Sequence, residues 1–267
     1  MKYVDVHAHF DDDWFGTEAD KEIENCHSLG VDYIINASCN IETSYKAIEF
    51  AKKYPYVYCT IGIHPQFVDE ISMLGELERI YEANPEKIVA IGEIGLDYHY
   101  DGIDKQKQKE LFILQLKLAK KLNLPVQIHS RDAVQDILEI LNMQDIWPEK
   151  VMFHCYELNE EITKIIIDRG YSISLGGNIT YKRKQSAIDQ IKSIPISQIM
   201  LETDSPYLAP EPLRGTRNSS ANILLICRKL ADIKKMSEEE VASITMDNFV
   251  TFYNINKKII NSWKTII

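Results

Sequence analysis

Six residues carry side chains that hold divalent ions, and they recur at one kind of place. His7 and His9 lie in YVDVHAHF, Glu93 in KIVAIGEIGLDY, His129 in LPVQIHSRDA, His154 in KVMFHCYE and Asp204 in IMLETDSPYL, each at or near the end of a short apolar run. A strand period of two puts His7 and His9 on one side, so both imidazoles can reach one ion. Four imidazoles and two carboxylates suit two divalent ions roughly 3.5 to 4 Å apart, bridged by Glu93 and by a hydroxide that serves as nucleophile. Each residue also has a plainer reading. The histidine pair could be a polar edge pair, Glu93 an ion-pair partner of Arg131, His129 and His154 satisfied core residues, and Asp204 a turn aspartate. Their joint placement favours the metal reading, because a scatter of polar residues would fall equally at the other strand ends and in the helices.

The apolar runs must form the elements that position these residues. β-rich runs near 3–9, 31–38, 56–64, 87–97, 124–130, 150–155, 170–175 and 199–204 read as strands, with helical segments between them. In 108–122, for example, Leu111, Leu114, Leu118 and Leu122 recur at helical spacing. Eight strand–helix repeats predict an α/β chain folded as a single (β/α)8 TIM barrel, with the six residues on its catalytic face at the C-terminal strand ends. A doubly wound open sheet is the alternative. Gly92 and Gly95 leave room for close backbone approach beside Glu93. Ser237 to Glu240 has the form of a capping box and opens an extra C-terminal helix through about Tyr253. The expectation is one domain over 1–267, with 254–267 a tail whose Ile259, Ile260, Trp263, Ile266 and Ile267 could dock on the body or on a second subunit.

Composition narrows the classes. In 267 residues, 40 acidic against 30 basic side chains give a net charge of −10, which argues against a broad basic surface while leaving room for a local positive site. A 45% hydrophobic fraction excludes disorder. No run approaches the roughly 18 apolar residues of a membrane span, and the N-terminus carries no apolar signal region, so a cytoplasmic protein is expected. Five scattered cysteines, Cys26, Cys39, Cys59, Cys155 and Cys227, form no C-x-x-C pair, which fits buried thiols in a reducing compartment. The sequence leaves the oligomeric state open, a monomer being one reading.

The runs DVHAHF, IGIHP, GEIGLDY, PVQIHSRDA, FHC and LETDSPYLAP, followed by RGTRN and the late helix through Asn248, resemble the TatD family of metal-dependent hydrolases and deoxyribonucleases, within the amidohydrolase-like barrels, over about 1–253. The resemblance implies that His7, His9 and Asp204 hold one metal, that His129 and His154 hold the other, and that Glu93 bridges them. It implies activity with Mg or Mn, whereas four imidazoles on ligand softness favour Zn, Mn or Fe. His64 in IGIHP resembles the family's phosphate-facing histidine, or caps its strand. Arg131 could fork onto a phosphate or pair with Asp132 or Glu93. Lys182, Arg183 and Arg214, with Tyr181, Lys184 and Arg217, could form an anion funnel on the catalytic-face loops. One departure stands beside His154, where the family's motif like HCFSG is replaced by HCYELNEE, an acidic rim that repels a polyanion unless it faces away.

The leading expectation is therefore hydrolysis of DNA phosphodiester bonds from a single-stranded or 3′ end, with Glu93 and Asp204 as catalytic residues and Asp204 orienting the attacking water. The six ligands serve equally a binuclear ester or amide hydrolase, such as an aminoacyl-tRNA deacylase or small-molecule amidase. A non-catalytic metal- or nucleic-acid-binding protein is a third class, disfavoured because a structural zinc site is normally closed and tetrahedral.

Overall fold

Parallel strands covered on both faces must be apolar throughout, and the chain supplies such runs. In the computed structural model, which describes residues 1–143, 148–182 and 185–256, eight of them become strands: β1 (Tyr3–Ala8), β2 (Val31–Asn36), β3 (Val57–Ile61), β4 (Ile88–Asp97), β5 (Val126–Arg131), β6 (Val151–Phe153), β7 (Ser172–Leu175) and β8 (Ile199–Leu201). They form one eight-stranded sheet in the order β1 to β8, and β1 with β2, β3 with β4, β4 with β5, β5 with β6 and β7 with β8 pair in parallel. An isolated parallel bridge between Ala8 and Ser205 joins the first strand to the segment after the eighth. The architecture is the expected (β/α)8 TIM barrel rather than an open sheet.

Between and after the strands run α1 (Ala19–Ser28), α2 (Ile41–Lys53), α3 (Leu74–Ala83), α4 (Lys105–Leu122), α5 (Val134–Leu141), α6 (Glu160–Asp168), α7 (Gln185–Ser193), α8 (Ile223–Lys234) and α9 (Glu238–Phe252). Their ends are chemically specified. Asn40 and Thr43 close a reciprocal capping box on α2, Asp104 caps α4, and the box foreseen at α9 forms, with Ser237 and Glu240 bonded to each other. The tail from residue 257, including Ile259, Ile260, Trp263, Ile266 and Ile267, lies outside the described residues. By packing, the chain divides into two compact units. One comprises Met1–Asn36 and His154–Thr251, and the other comprises Ala37–Phe153 with the residues from Phe252.

Helix α4 departs from the expected leucine stripe. Leu114 and Leu122 are only half-buried, whereas Gln108 and Gln115 are buried with Leu111, Phe112 and Leu116. The glutamines sit inside because each satisfies a strand end that would otherwise bury bare peptide groups. Gln108 accepts from the Asp97 N–H at 2.8 Å and donates to its carbonyl at 2.8 Å. Gln115 does the same for Ile63, at 2.7 and 2.9 Å. Two polar side chains thus fix the backbone next to His64 and at Asp97.

Candidate metal centre

In the first unit, β1 ends in the histidine pair. His7 lies in the strand, fully buried, and His9 lies just past its end. Asp204 follows β8 by three residues in the left-handed conformation, φ +55°, which aspartate tolerates better than most residues. Its N–H donates to the His7 carbonyl at 2.9 Å, and the Ser205 carbonyl accepts from the His9 N–H at 2.7 Å. Backbone bonds thereby lock two strand ends together and bring three ligand atoms to one point. His7 Nε2 and His9 Nε2 are 3.1 Å apart, and Asp204 Oδ1 is 3.8 and 3.3 Å from them. Metal bonds of about 2.0–2.2 Å place neighbouring ligand atoms roughly 3 to 3.5 Å apart, so the trio fits a divalent ion.

His154, one residue past β6, stacks on His7 with ring centroids 4.1 Å apart. Beside it lies a carboxylate that the motif reading passed over. Glu202 is buried completely, 3.8 Å from His154 Nδ1, and accepts from the Ser174 hydroxyl at 2.5 Å. Its Oε1 has no hydrogen-bond partner among the described residues. His7, His154 and Glu202 form a second ligand-competent trio. Burial pushes the Glu202 carboxyl up to about 8. Burial acts in the same direction on Asp204, but the His9 hydrogen bond and the nearby His7 and His154 imidazoles outweigh it and hold that carboxyl below its ordinary value. Asp5, on the same side of β1 as His7, is pushed up to about 6 by burial, although Ser220 and Thr203 donate to it.

The second unit builds its own cluster around Glu93. Glu93 sits within β4, which continues to Asp97. Glu93 Oε1 is 2.7 Å from His129 Nδ1 and 3.6 Å from His64 Nε2, and His64, Glu93 and His129 form a third ligand-competent trio. Gly95, at φ +144°, and Gly92 explain how β5 comes so close, since a Cβ at Gly95 would lie 2.0 Å from the His129 carbonyl and one at Gly92 2.8 Å from the Gln127 side chain. The Cys39 thiol also lies 3.9 Å from Glu93.

Asp97 is the other residue missed. Its Oδ2 is 3.2 Å from His129 Nε2, so a carboxylate stands at each ring nitrogen. Burial pulls the His129 pKa down, but Asp97 and Glu93 overcome it and raise it to about 9. Asp5, Glu202 and Asp97 were all accessible to the strand period of two: each falls an even number of residues from a recognised ligand, namely His7, Asp204 and Glu93.

Expected substrate residues fare unevenly. His64 caps the segment that follows it, accepting from the Gln66 N–H at 3.2 Å, while its Nε2 lies 3.6 Å from Glu93. Arg131 lies over the Tyr100 ring, 5.4 Å from its centroid, and donates to the Tyr100 hydroxyl at 3.3 Å. Arg214 is exposed and covers Tyr181 at 4.4 Å. Lys182 is exposed, while Arg183 and Lys184 lie outside the described residues. Arg217 donates to Glu18 at 2.9 Å and to the Trp14 carbonyl at 3.0 Å. In the acidic rim, Glu160 and Glu161 form the first turn of α6, where negative charge complements the helix dipole, and Asn159 caps that turn. All five cysteines are free thiols, and burial pushes Cys26 and Cys227 up to about 12. Neither of these two is activated as a nucleophile.

Comparison with known proteins identifies the family. The model of the TatD-related DNase family matches residues 4–254. The chain belongs to that family. It is 37% identical over 254 residues to the uncharacterized metal-dependent hydrolase YabD of Bacillus subtilis, covering 94% of this chain and 99% of that one. Among solved structures, the TatD homologue YjjV of Escherichia coli superposes with a TM-score of 0.88 at 29% identity, covering 94% and 98% of the two chains. A TatD-family hydrolase of Entamoeba histolytica gives 0.87 at 26%, covering 96% and 99%. This TatD-family chain is a metal-dependent hydrolase with a histidine–carboxylate cluster able to bind metal. No helix among the described residues is long and apolar enough to cross a membrane.

Proposed function

We propose that the protein hydrolyses phosphodiester bonds in DNA, removing nucleotides from a single-stranded 3′ end. The observation that carries the reading is the convergence of His7, His9 and Asp204 at the ends of the first and last strands, in a member of a family named for deoxyribonuclease activity. The ligand assignment follows the family: His7, His9 and Asp204 for one divalent ion, His129 and His154 for a second, and Glu93 serving both. Such ions, when bound, supply an acidified water and charge neutralisation at phosphorus.

The chain's own groups supply the remainder. Asp204, kept ionised by its histidine neighbours, can orient the attacking water and accept its proton. Glu202, 3.8 Å from His154 Nδ1, would orient that ring if the two close to a hydrogen bond. His64, Arg131, Lys182 and Arg214 would receive the phosphates, together with Arg183. Magnesium, manganese or zinc would serve as the ions.

The test is hydrolysis of 5′-labelled single-stranded DNA by protein stripped with chelator and resupplied with Mg, Mn or Zn, with a Glu93→Ala variant alongside. The expected result is metal-restored shortening from the 3′ end, at least about 10³-fold slower in the variant. No shortening by protein shown to carry two ions would overturn the phosphodiesterase reading and move the reaction to carboxylic esters or amides.

A further inference from the structure

Aromatic side chains left in water beside a reactive centre are costly unless they meet something, and this chain places two of them next to His9. Trp14 is 51% exposed and Tyr207 44%, and their ring centroids are 6.4 Å apart. The Tyr207 ring is 6.2 Å from that of His9. Exposure here does not reflect a loose loop. The turn after β1 is pinned by Phe10 and Phe15, both buried and stacked at 5.0 Å, and Arg217 grips the Trp14 carbonyl. Asp12 accepts from the Trp14 N–H at 2.7 Å and from the Tyr207 hydroxyl. On the other side, the Tyr207 N–H donates to the Asp204 carbonyl at 2.8 Å and the Tyr207 carbonyl accepts from Asn218 at 2.7 Å. A fixed aromatic step therefore stands at a set position relative to His9 and Asp204.

We infer that Trp14 and Tyr207 form a stacking site for a nucleobase flanking the scissile phosphate. The ligand class follows from charge as well as shape. The turn reads DDDW, with Asp12 engaged as above and Asp11 accepting from Asn36 at 2.7 Å. Carboxylates repel phosphate, so what rests on the step is the uncharged, flat part of a nucleotide, and stacking on an aromatic face accepts any base. The inference rests on the nuclease reading and adds to it where the base goes.

The experiment is steady-state hydrolysis of two single strands, one normal and one whose two 3′-terminal nucleotides lack bases, by wild type, Trp14→Ala and Trp14→Phe protein. Loss of one stacked base is expected to raise KM about tenfold with kcat within about twofold. Wild type should lose that factor on the abasic strand, Trp14→Ala should lose it on the normal strand alone, and Trp14→Phe should keep most of the advantage. A Trp14→Ala penalty equal on both strands, or no penalty on either, would overturn the stacking site while leaving the nuclease reading intact. Wild-type protein that cleaves neither strand with any metal would overturn the nuclease reading and the stacking site together.

Discussion

His129 has one ring nitrogen on Glu93 and the other on Asp97. That arrangement has a direct consequence for metal uptake. An imidazole must be neutral to ligate, and the two carboxylates, acting against burial, raise its pKa to about 9 in the metal-free protein. Protons therefore compete with metal below about pH 9, and apparent affinity should rise about tenfold per pH unit up to that point for the one proton released at this ring. Isothermal titration with Zn at several pH values checks this, and an affinity flat between pH 6.5 and 9 would contradict it. The stability linkage has the same origin: a pKa raised from 6.5 stabilises the metal-free fold fully below pH 6.5, and the contribution is lost as pH climbs through 9. Asp97 should act as a positioning residue, since its carboxylate fixes the ring orientation. Asp97→Asn is expected to weaken metal binding about 10- to 100-fold and to move the affinity plateau to lower pH, because one of the groups raising the imidazole is gone.

At the level of elements, β4 and β5 illustrate what the sequence makes legible. The apolar runs and the position of His129 could be read directly, and so could the need for Gly92 and Gly95 beside Glu93. The run 87–97 also matches β4, but the contact of Asp97 with the second ring nitrogen of His129 could not be read, because it exists only once β4 and β5 lie side by side. Nor could the burial of Gln108 and Gln115, whose partners are backbone groups that exist only once the strands are placed. The Arg217–Glu18 pair was illegible for a similar reason, its two residues lying 199 positions apart. Gly95 itself gives a sharp test. Any side chain there meets the His129 carbonyl at 2.0 Å and must also hold φ +144°, so Gly95→Ala should cost at least about 2 kcal/mol and disturb the cluster around Glu93. Denaturant unfolding measures the first effect and metal content the second. A variant with wild-type stability would mean that β5 can retreat freely.

For the molecule as a whole, the net charge of −10 and the acidic start of α6 left the substrate open in a way the metal ligands did not. Candidate ligands are written in residue type at strand ends, whereas anion recognition depends on which few basic side chains face the chemistry. The ligand cluster also bears on global stability. Three candidate ligand atoms within 3.8 Å of one another, His7 Nε2, His9 Nε2 and Asp204 Oδ1, are brought together only by folding, through backbone bonds between residues nearly 200 positions apart. An unfolded chain offers no such site, so an ion bound there stabilises the folded state by mass action, about 2.7 kcal/mol when its concentration is 100 times Kd. For a chain of this size each kcal/mol moves Tm by roughly 2–4 °C. Stripping the metal should therefore lower Tm by about 5–10 °C, and the shift should shrink in His9→Ala, which removes a ligand at the edge of the buried cluster. Differential scanning calorimetry with and without chelator, alongside elemental analysis of the same samples, decides it. An unchanged Tm in protein shown to have lost its metal would mean that the ion contributes chemistry without holding the strand ends together.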